Sequence, residues 1–410
     1  MLVYVLNNQG NPLMPCKSSK ARKLLKQNKA KVIKREPFTI QLLYGSSGYK
    51  QNITLGVDAG SKIMGLSATT EKQELFSGKM ELRNDIVNLL SDRRQYRKSR
   101  RNRKTRYRKA RFLNRVKFKN KGWLAPSIEN KIQSHFNIVD KIYKLLPIKN
   151  IIVETASFDI QKIKNSNING EEYQQGEQLG FWNIREYVLF RDGHKCCVKG
   201  CNNKILNVHH IESRKTGGDS PNNLITLCEE HHKAYHKGKL KLNLKRGQKF
   251  KDATFMGIMR WTFYNRLKEI YPNVLMTYGY ITKNTRIKNN LPKDHNIDAY
   301  CIANNLNAKR LDYHYYFKKV RCHNRQIYKA KILKGGRRKL NQAQYLVKGF
   351  RLFDKVQYEN KLYYIFGRRN SGFFDIRDLR GNKVNKGSIS CKKLKLIETR
   401  KSLLCERMVS

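Results

Sequence analysis

Apolar and polar positions in the first fifty residues predict strand and turn over MLVYVLNNQGNPLMPC, helix over SKARKLLKQNKAK and strand over FTIQLLY, together a small basic module. Residues 53–82 then carry three apolar, β-prone runs, ITLGVDAG, KIMGLSATT and QELFSGKMEL, each broken by Gly or charge, and these predict three successive strands. SIENKIQSHFNIVDKIYKLL has helical spacing and leads into a strand, NIIVETASFDI. FWNIREYVLFRDGHK, KDATFMGIMRWTFYNRLKEIY and DHNIDAYCIANN predict further helices. From about residue 345, YLVKGFRLFDKVQYENKLYYIFGRRNSGFFDIRDLRGNKV alternates apolar and polar residues between turns with Gly and Asn, the pattern of an antiparallel β module. No fixed repeat is apparent, and with only eight Pro the module boundaries follow shifts in composition.

Composition narrows the function. The 410 residues, 39% hydrophobic with 22 Tyr and 17 Phe, suffice for two or three domains with cores, which excludes a disordered basic tail. Against 31 Asp and Glu stand 86 Lys and Arg, a formal charge of +55, so a polyanion is attracted over long range and nucleic acid is the leading partner. A membrane also attracts basic proteins, but no apolar run approaches the roughly 18 to 20 residues of a spanning helix. The N-terminus lacks the charged, apolar and small-residue order of a secretion signal, so a cytosolic protein is expected. Nine cysteines, odd in number and sparse, fit a reducing compartment and metal ligation before disulfides.

Charge is most concentrated between Arg93 and Lys119, where 15 of 27 positions are Lys or Arg and none is acidic. An almost wholly polar circumference cannot hold a helix by burying an apolar face in protein. Most such runs are solvated charge blocks. Here interleaved Tyr96, Tyr107 and Phe112, the absence of Pro and Gly, and the helix propensity of Arg and Lys predict a helix that orders on phosphates. Its candidate contacts are Arg93, Arg94, Arg97, Arg100, Arg101, Arg103, Arg106, Arg108, Arg111 and Arg115.

Chemistry is most concentrated between residues 194 and 236. Cys196 or Cys197 with Cys201, then Cys228 with His231, gives two knuckles of a tetrahedral zinc site, since thiolate and imidazole suit zinc. Between and after the knuckles lie His209, His210, Asn223, His232 and His236. Phosphodiester hydrolysis near neutral pH needs a partly neutral base and a cation that stabilises charge on phosphorus, and imidazole serves as base or as ligand. A purely structural zinc finger accounts for the four knuckle residues and leaves the others without a role. A second constellation is spread along the chain. Asp58 and Glu154 each end a predicted strand, and His295 and Asp298, at i and i+3, share a helix face. Carboxylates at the ends of adjacent strands and on a facing helix can hold two Mg²⁺ for in-line phosphoryl displacement.

The order HH, then the Asn of NNL, then H-x3-H between zinc knuckles resembles the HNH (ββα-metal) nuclease motif. The resemblance implies that His210 is the general base. It puts His209 and His236 at a catalytic Mg²⁺, with His232 as a further candidate ligand and Asn223 orienting the motif beside the metal. Where that family usually has a fourth Cys at its zinc, this chain has His231. Asp58, Glu154 and H-x-x-D, in three pieces, resemble the RuvC-type, RNase-H-like nucleases. The nested order, with PLMP near the N-terminus, is similar to the IscB family, transposon-associated RNA-guided nucleases related to the type II CRISPR effectors.

That resemblance implies an α/β multidomain protein with a split RNase-H-like (RuvC) domain and an inserted ββα-metal HNH zinc domain. The implied parts are a PLMP module (1–50), RuvC parts at 51–84, 121–180 and 248–320, an Arg-rich bridge helix (85–120), HNH (181–247) and a C-terminal β module (321–410) that interacts with a target-adjacent motif. It further implies catalysis by Asp58, Glu154, His295, Asp298 and His210, two Mg²⁺ in RuvC and one in HNH, a structural Zn²⁺, an omega-type guide RNA and double-stranded target DNA. A monomeric protein in a bacterial or archaeal, nucleoid-associated ribonucleoprotein follows from the same resemblance, with no membrane partner. HNH would cut the paired strand and RuvC the displaced one. Two other classes remain in view: a homing or junction-resolving nuclease that works without RNA, and a non-catalytic RNA-binding protein, against which the intact Asp58, Glu154, His210 and Asp298 argue.

Changing Arg100, Arg101, Arg103 and Arg106 together to Gln should reduce the slope of log K for RNA against log salt by roughly 3 to 4, at about 0.7 to 0.9 per phosphate contact. Binding titrations across a salt series measure it. An unchanged slope would make the run a solvated face.

Overall fold

The structure, a computed structural model, describes residues 2–101, 124, 126–155, 177–247, 251–321, 344–399 and 402–409, with the backbone alone at 87, 96–101, 215–216 and 251–255. Arg103, Arg106, Arg108, Arg111 and Arg115 lie outside the described residues, as do Tyr107 and Phe112.

In chain order, β1 (Leu2–Leu6), β2 (Pro12–Lys17), α1 (Ser18–Lys26), β3 (Ala30–Lys34) and β4 (Thr39–Leu42) form the N-terminal module. Its sheet has the order β2-β1-β4-β3. Then come β5 (Thr54–Asp58), β6 (Ile63–Thr69) and β7 (Glu74–Glu81), an antiparallel meander, and α2 (Ile86–Arg101), α3 (Pro126–Tyr143) and β8 (Asn150–Thr155). A further stretch holds α4 (Ile184–Arg191), β9 (Leu206–His210), a helical turn at Arg214–Gly217, β10 (Leu224–Cys228) and α5 (Glu229–His236). It is followed by α6 (Lys251–Ile270), β11 (Val274–Tyr278), α7 (Gly279–Lys288), α8 (His295–Ala303) and β12 (Tyr313–Lys319). The described chain closes with β13 (Lys355–Tyr358), β14 (Lys361–Arg368), β15 (Phe373–Arg377), β16 (Ile389–Ser390), β17 (Lys395–Glu398) and β18 (Leu403–Val409).

These elements fall into two units. One takes its described residues from 1–84, 103–156 and 256–410, the other from 85–102 and 157–255. The first is a mixed α/β unit built around a seven-stranded sheet of order β11-β8-β5-β6-β7-β12-β18. β5 pairs parallel with β8, which pairs parallel with β11, while β6 runs antiparallel to both of its neighbours. Its strands are apolar on both faces because helices cover it: Leu55, Val57, Met64, Leu66 and Phe76 are fully buried. The N-terminal sheet attaches through Tyr4, whose hydroxyl donates to the Leu75 carbonyl at 2.9 Å and whose ring meets Phe76. In the second unit β9 and β10 form a two-stranded ribbon, with α4 and α5 in contact with both strands. Among the described residues, no helix is long and apolar enough to cross a membrane.

The three strands expected over 53–82 and the helices over 126–143, 184–191, 251–270 and 295–303 are present. Three elements differ from expectation. β11 and α7 were not foreseen, since β11 is an edge strand whose apolar Leu275 and Met276 face outward and break the alternation. β18 lies in the region expected to be one C-terminal β module, yet it pairs over seven residues with β12 and completes the seven-stranded sheet. The separate sheet has five strands, β16-β15-β14-β13-β17. Strand pairing over long sequence separation leaves no local signature, so the boundary was not readable.

Two glycines let α8 lie against the sheet. A Cβ on Gly56 would fall 2.0 Å from the Ala299 carbonyl oxygen, and one on Gly65 would fall 1.8 Å from that of His295. Gly65 is opposite Asp58 in the β5–β6 ladder, so this close approach seats the start of α8 over Asp58. Gly65→Ala meets rigid backbone and should lower stability by at least the roughly 1–3 kcal/mol usual for overpacking. Gly257→Ala, in α6 with open space around it, should instead raise stability by up to about 1 kcal/mol. Urea unfolding of the two variants checks the pair of signs.

Candidate active sites and metal centres

The described residues of the second unit form little apolar core. Its clusters are Tyr187, Val188 and Leu224 on one side and Cys196, Leu227 and Cys228 on the other. Polar contacts tie α4 to β10: Asp192 Oδ2 accepts from Thr226 N and Oγ1, each at 2.9 Å. Cys196, Cys201, Cys228 and His231 bring one ligand atom each within 4.8 Å of one another. Cys201 Sγ and Cys228 Sγ are 3.7 Å apart, and His231 Nδ1 is 3.5 Å from Cys196 Sγ and 3.2 Å from Cys228 Sγ. A tetrahedral zinc with Zn–S near 2.3 Å would space two sulfurs about 3.8 Å apart, so the set fits that ion. Burial raises the Cys196 thiol, but backbone hydrogen bonds at Val198 and Cys228 and the contact with His231 outweigh it and bring the group to about 7. Cys197 is exposed and outside the set.

A second cluster joins the ribbon to α5. His209 on β9 meets His232 and His236 on α5, all three offering ring nitrogens within 4.8 Å. Ring centroids are 5.2 Å (His209–His232), 5.1 Å (His209–His236) and 4.6 Å (His232–His236) apart. His209 is 4% exposed, and its Nε2 is buried without a hydrogen-bond partner. Burial, then the neighbouring histidines, lowers His209 to about 4, and burial with His236 lowers His232. Both rings are therefore neutral near pH 7, the state that donates a lone pair to a metal. Three imidazoles fit a divalent cation of intermediate softness; Mg²⁺, expected here from the family resemblance, favours oxygen ligands.

Asn223 was expected beside the metal, but its side chain is fully buried and engaged elsewhere. It accepts from Glu212 N at 2.9 Å and donates to the carbonyls of Glu212 and Gly218, both at 2.9 Å. It orders the 212–218 loop and leaves no free atom aimed at the histidines, so only the orienting part of its expected role has a geometric basis. His210 points to a different partner: its Nε2 is 2.8 Å from Asp219 Oδ1, and Arg214 Nη2 is 2.9 Å from the other Asp219 oxygen. His210 and Arg214 hold the Asp219 carboxyl below its ordinary range.

In the first unit, Asp58, Glu154, His295 and Asp298 come together at one end of the central strands. Asp58 and Glu154 end neighbouring parallel strands and are 6% and 8% exposed. Asp294 caps α8, and His295 Nδ1 is 2.7 Å from Asp58 Oδ2, a contact that raises the imidazole against burial. Burial raises Glu154 and Asp298, Arg260 and Arg286 oppose the rise, and Asp58 adds to it. Arg260 Nη1 is 2.7 Å from Glu154 Oε1, Arg260 Nη2 is 3.8 Å from Asp58 Oδ1, and Arg286 Nε is 2.8 Å from Asp298 Oδ1. The carboxylates do not form one of the sets that converge within 4.8 Å among the described residues. As an all-oxygen group on rigid elements they suit Mg²⁺.

Sequence reasoning missed Arg260, Arg286 and Asp219. Arg260 carried a usable signal: it shares a helical face with Met256, Met259, Phe263 and Leu267, all buried, so an arginine there must meet an internal partner. Asp219 is an exposed turn residue with no such mark.

Residues 3–176 match the RRXRR protein family, and residues 196–243 match the HNH endonuclease family. No curated protein matches the chain. Solved structures similar to it include three crystal structures of Streptococcus thermophilus Cas9, in complex with AGGA, GGAA and AGAA PAM. The first is 16% identical and covers 44% of this chain and 26% of that one, with a TM-score of 0.30. The second is 17% identical over 51% and 30%, with a TM-score of 0.33. The third is 14% identical over 62% and 32%, with a TM-score of 0.33. The chain thus spans about a quarter to a third of the length of the Cas9 chains it matches.

With so small a core in the second unit, one equivalent of zinc per chain is expected in the purified protein, and Cys228→Ser should lose both the zinc and the folded 196–243 segment. Metal analysis with limited proteolysis reads both. Less than about half an equivalent in protein whose segment stays protease-resistant would overturn it.

Proposed function

We propose that this chain, whose residues 3–176 match the RRXRR protein family and whose residues 196–243 match the HNH endonuclease family, is an RNA-guided DNA endonuclease with two cutting sites. The histidine site cuts the strand paired with the guide, and the carboxylate site cuts the displaced strand. The observation that carries this reading is the pair of chemically distinct candidate sites on one chain, one in a segment that matches HNH endonucleases and the other at the ends of β5 and β8. The meander β5-β6-β7 flanked by parallel β8 and β11 supports a split RNase-H-like domain, interrupted between β8 and α6.

At the histidine site His210 Nε2 donates to Asp219, which leaves the Nδ1 lone pair to take a proton from the attacking water. His209, His232 and His236 would hold a divalent cation, which when bound stabilises charge on the phosphate. At the other site Asp58, Glu154 and Asp298 would hold Mg²⁺, and His295, hydrogen-bonded to Asp58, is placed to move a proton at the same centre. Arg93, Arg94 and the rest of the basic run would track the guide backbone, base pairing would select the sequence, and the five-stranded module would read a short motif beside the target. Such a ribonucleoprotein would act in the cytoplasm of a bacterial or archaeal cell.

His210→Ala should leave a protein that nicks only the displaced strand, and Asp58→Ala one that nicks only the paired strand. Each loss should be of the order of 10²-fold or more. The double variant should still bind target DNA through its guide, because binding rests on base pairing and backbone contacts. Strand-labelled duplexes incubated with copurified RNA and divalent metal measure all three. Loss of both cuts from either single change, with binding intact, would overturn the two-site assignment. Cutting unaffected by ribonuclease would replace guidance with an RNA-independent nuclease.

A further inference from the structure

Outside the two centres, an exposed pair of aromatic residues lies on the segment that runs alongside Glu154. β11 is the edge strand of the seven-stranded sheet and pairs with β8, Thr277 opposite Glu154 and Tyr278 opposite Thr155. The next residue, Gly279, lies so close that a Cβ there would be 3.2 Å from Glu154 Oε1. Tyr278 and Tyr280, on either side of that glycine, stack on each other at 6.0 Å and 14° and are 41% and 66% exposed. Ile281 and Ile287 on α7 are exposed as well.

Charge along the segment that carries the pair is of one sign. From Pro272 to Lys293 there is no Asp or Glu, and Lys283 and Lys288 on α7 are exposed. Exposed aromatic rings among cations match a strand of bases and phosphates. Every base offers a π-face to tyrosine, so the surface would hold a strand without reading its sequence.

We propose that Tyr278 and Tyr280 form a stacking platform that seizes a base of single-stranded DNA beside Glu154, with Lys283 and Lys288 on the flanking phosphates. The platform delivers an adjoining phosphate to the carboxylate site and rests on the reading of that site as the centre that cuts the displaced strand. The tyrosines are positioning residues for that strand, and the chemistry stays with the carboxylates.

The test uses the full chain with its copurified RNA and a single-stranded DNA oligonucleotide carrying the fluorescent base analogue aminopurine, whose emission falls on stacking. Tyr278→Leu with Tyr280→Leu should abolish the quench and weaken oligonucleotide binding by about 10- to 100-fold. Replacement of both by Phe should restore quench and affinity. KM for the displaced strand should rise in the Leu variant, and cutting of the paired strand should be unchanged. Wild-type quench and affinity in a folded Leu variant would overturn the platform. So would tighter binding of an RNA oligonucleotide of the same sequence, which would assign the surface to the guide. Persistence of displaced-strand cutting in Asp58→Ala would instead defeat the reading of the carboxylate site, whereas loss of that cut with unaltered binding in the Leu variant would defeat the platform alone.

Discussion

Two carboxylates that end adjacent parallel strands, with almost no water on either, need a positive partner. Asp58 and Glu154 are 6% and 8% exposed, and a buried carboxylate without a counter-charge or hydrogen bonds is costly. Arg260 reaches both from the buried face of α6 and also donates to the Ala59 carbonyl at 3.0 Å. His295 meets Asp58 from α8, and Arg286 meets Asp298 from α7. Three helices are therefore held at one end of the sheet by the same electrostatic need, and Gly56 and Gly65 let one of them come close enough to satisfy it. Positioning of the site and packing of the unit have a common cause.

The other unit meets a different constraint. Among its described residues the two apolar clusters are too small to fix a ribbon and two helices, and the thiol set, with Cys196 and Cys228 buried, stands where a larger domain would have core. Asn223 makes the point in miniature, since a fully buried amide with three backbone partners orders a loop that has no apolar residues to anchor it. Loop, ribbon and helix then present His209, His232 and His236 as one group.

The meander β5–β7 was legible because its strands are buried on both faces and appear as near-continuous apolar runs. Cys196, Cys201, Cys228 and His231, and likewise His209, His232 and His236, were legible as sets because ligand residues cluster in sequence. What stayed hidden depended on partners far along the chain. Arg260 is meaningful only against Asp58 and Glu154, and β18 only against β12. β11 was hidden for another reason: an edge strand with outward Leu275 and Met276 inverts the pattern that identifies a strand. Asn223 was legible as a position, whereas its bonding required the folded loop.

The contact between Asp58 and His295 spans 237 positions of sequence. During synthesis the meander is complete long before α8 leaves the ribosome, and its Asp58 waits without the helix that carries His295 and Asp298. A chain interrupted anywhere in that interval has the strand and lacks the opposing half of the carboxylate centre. Dispersal of the site along the chain thus makes the carboxylate centre a property of the finished chain, which no shorter, unfinished copy can share.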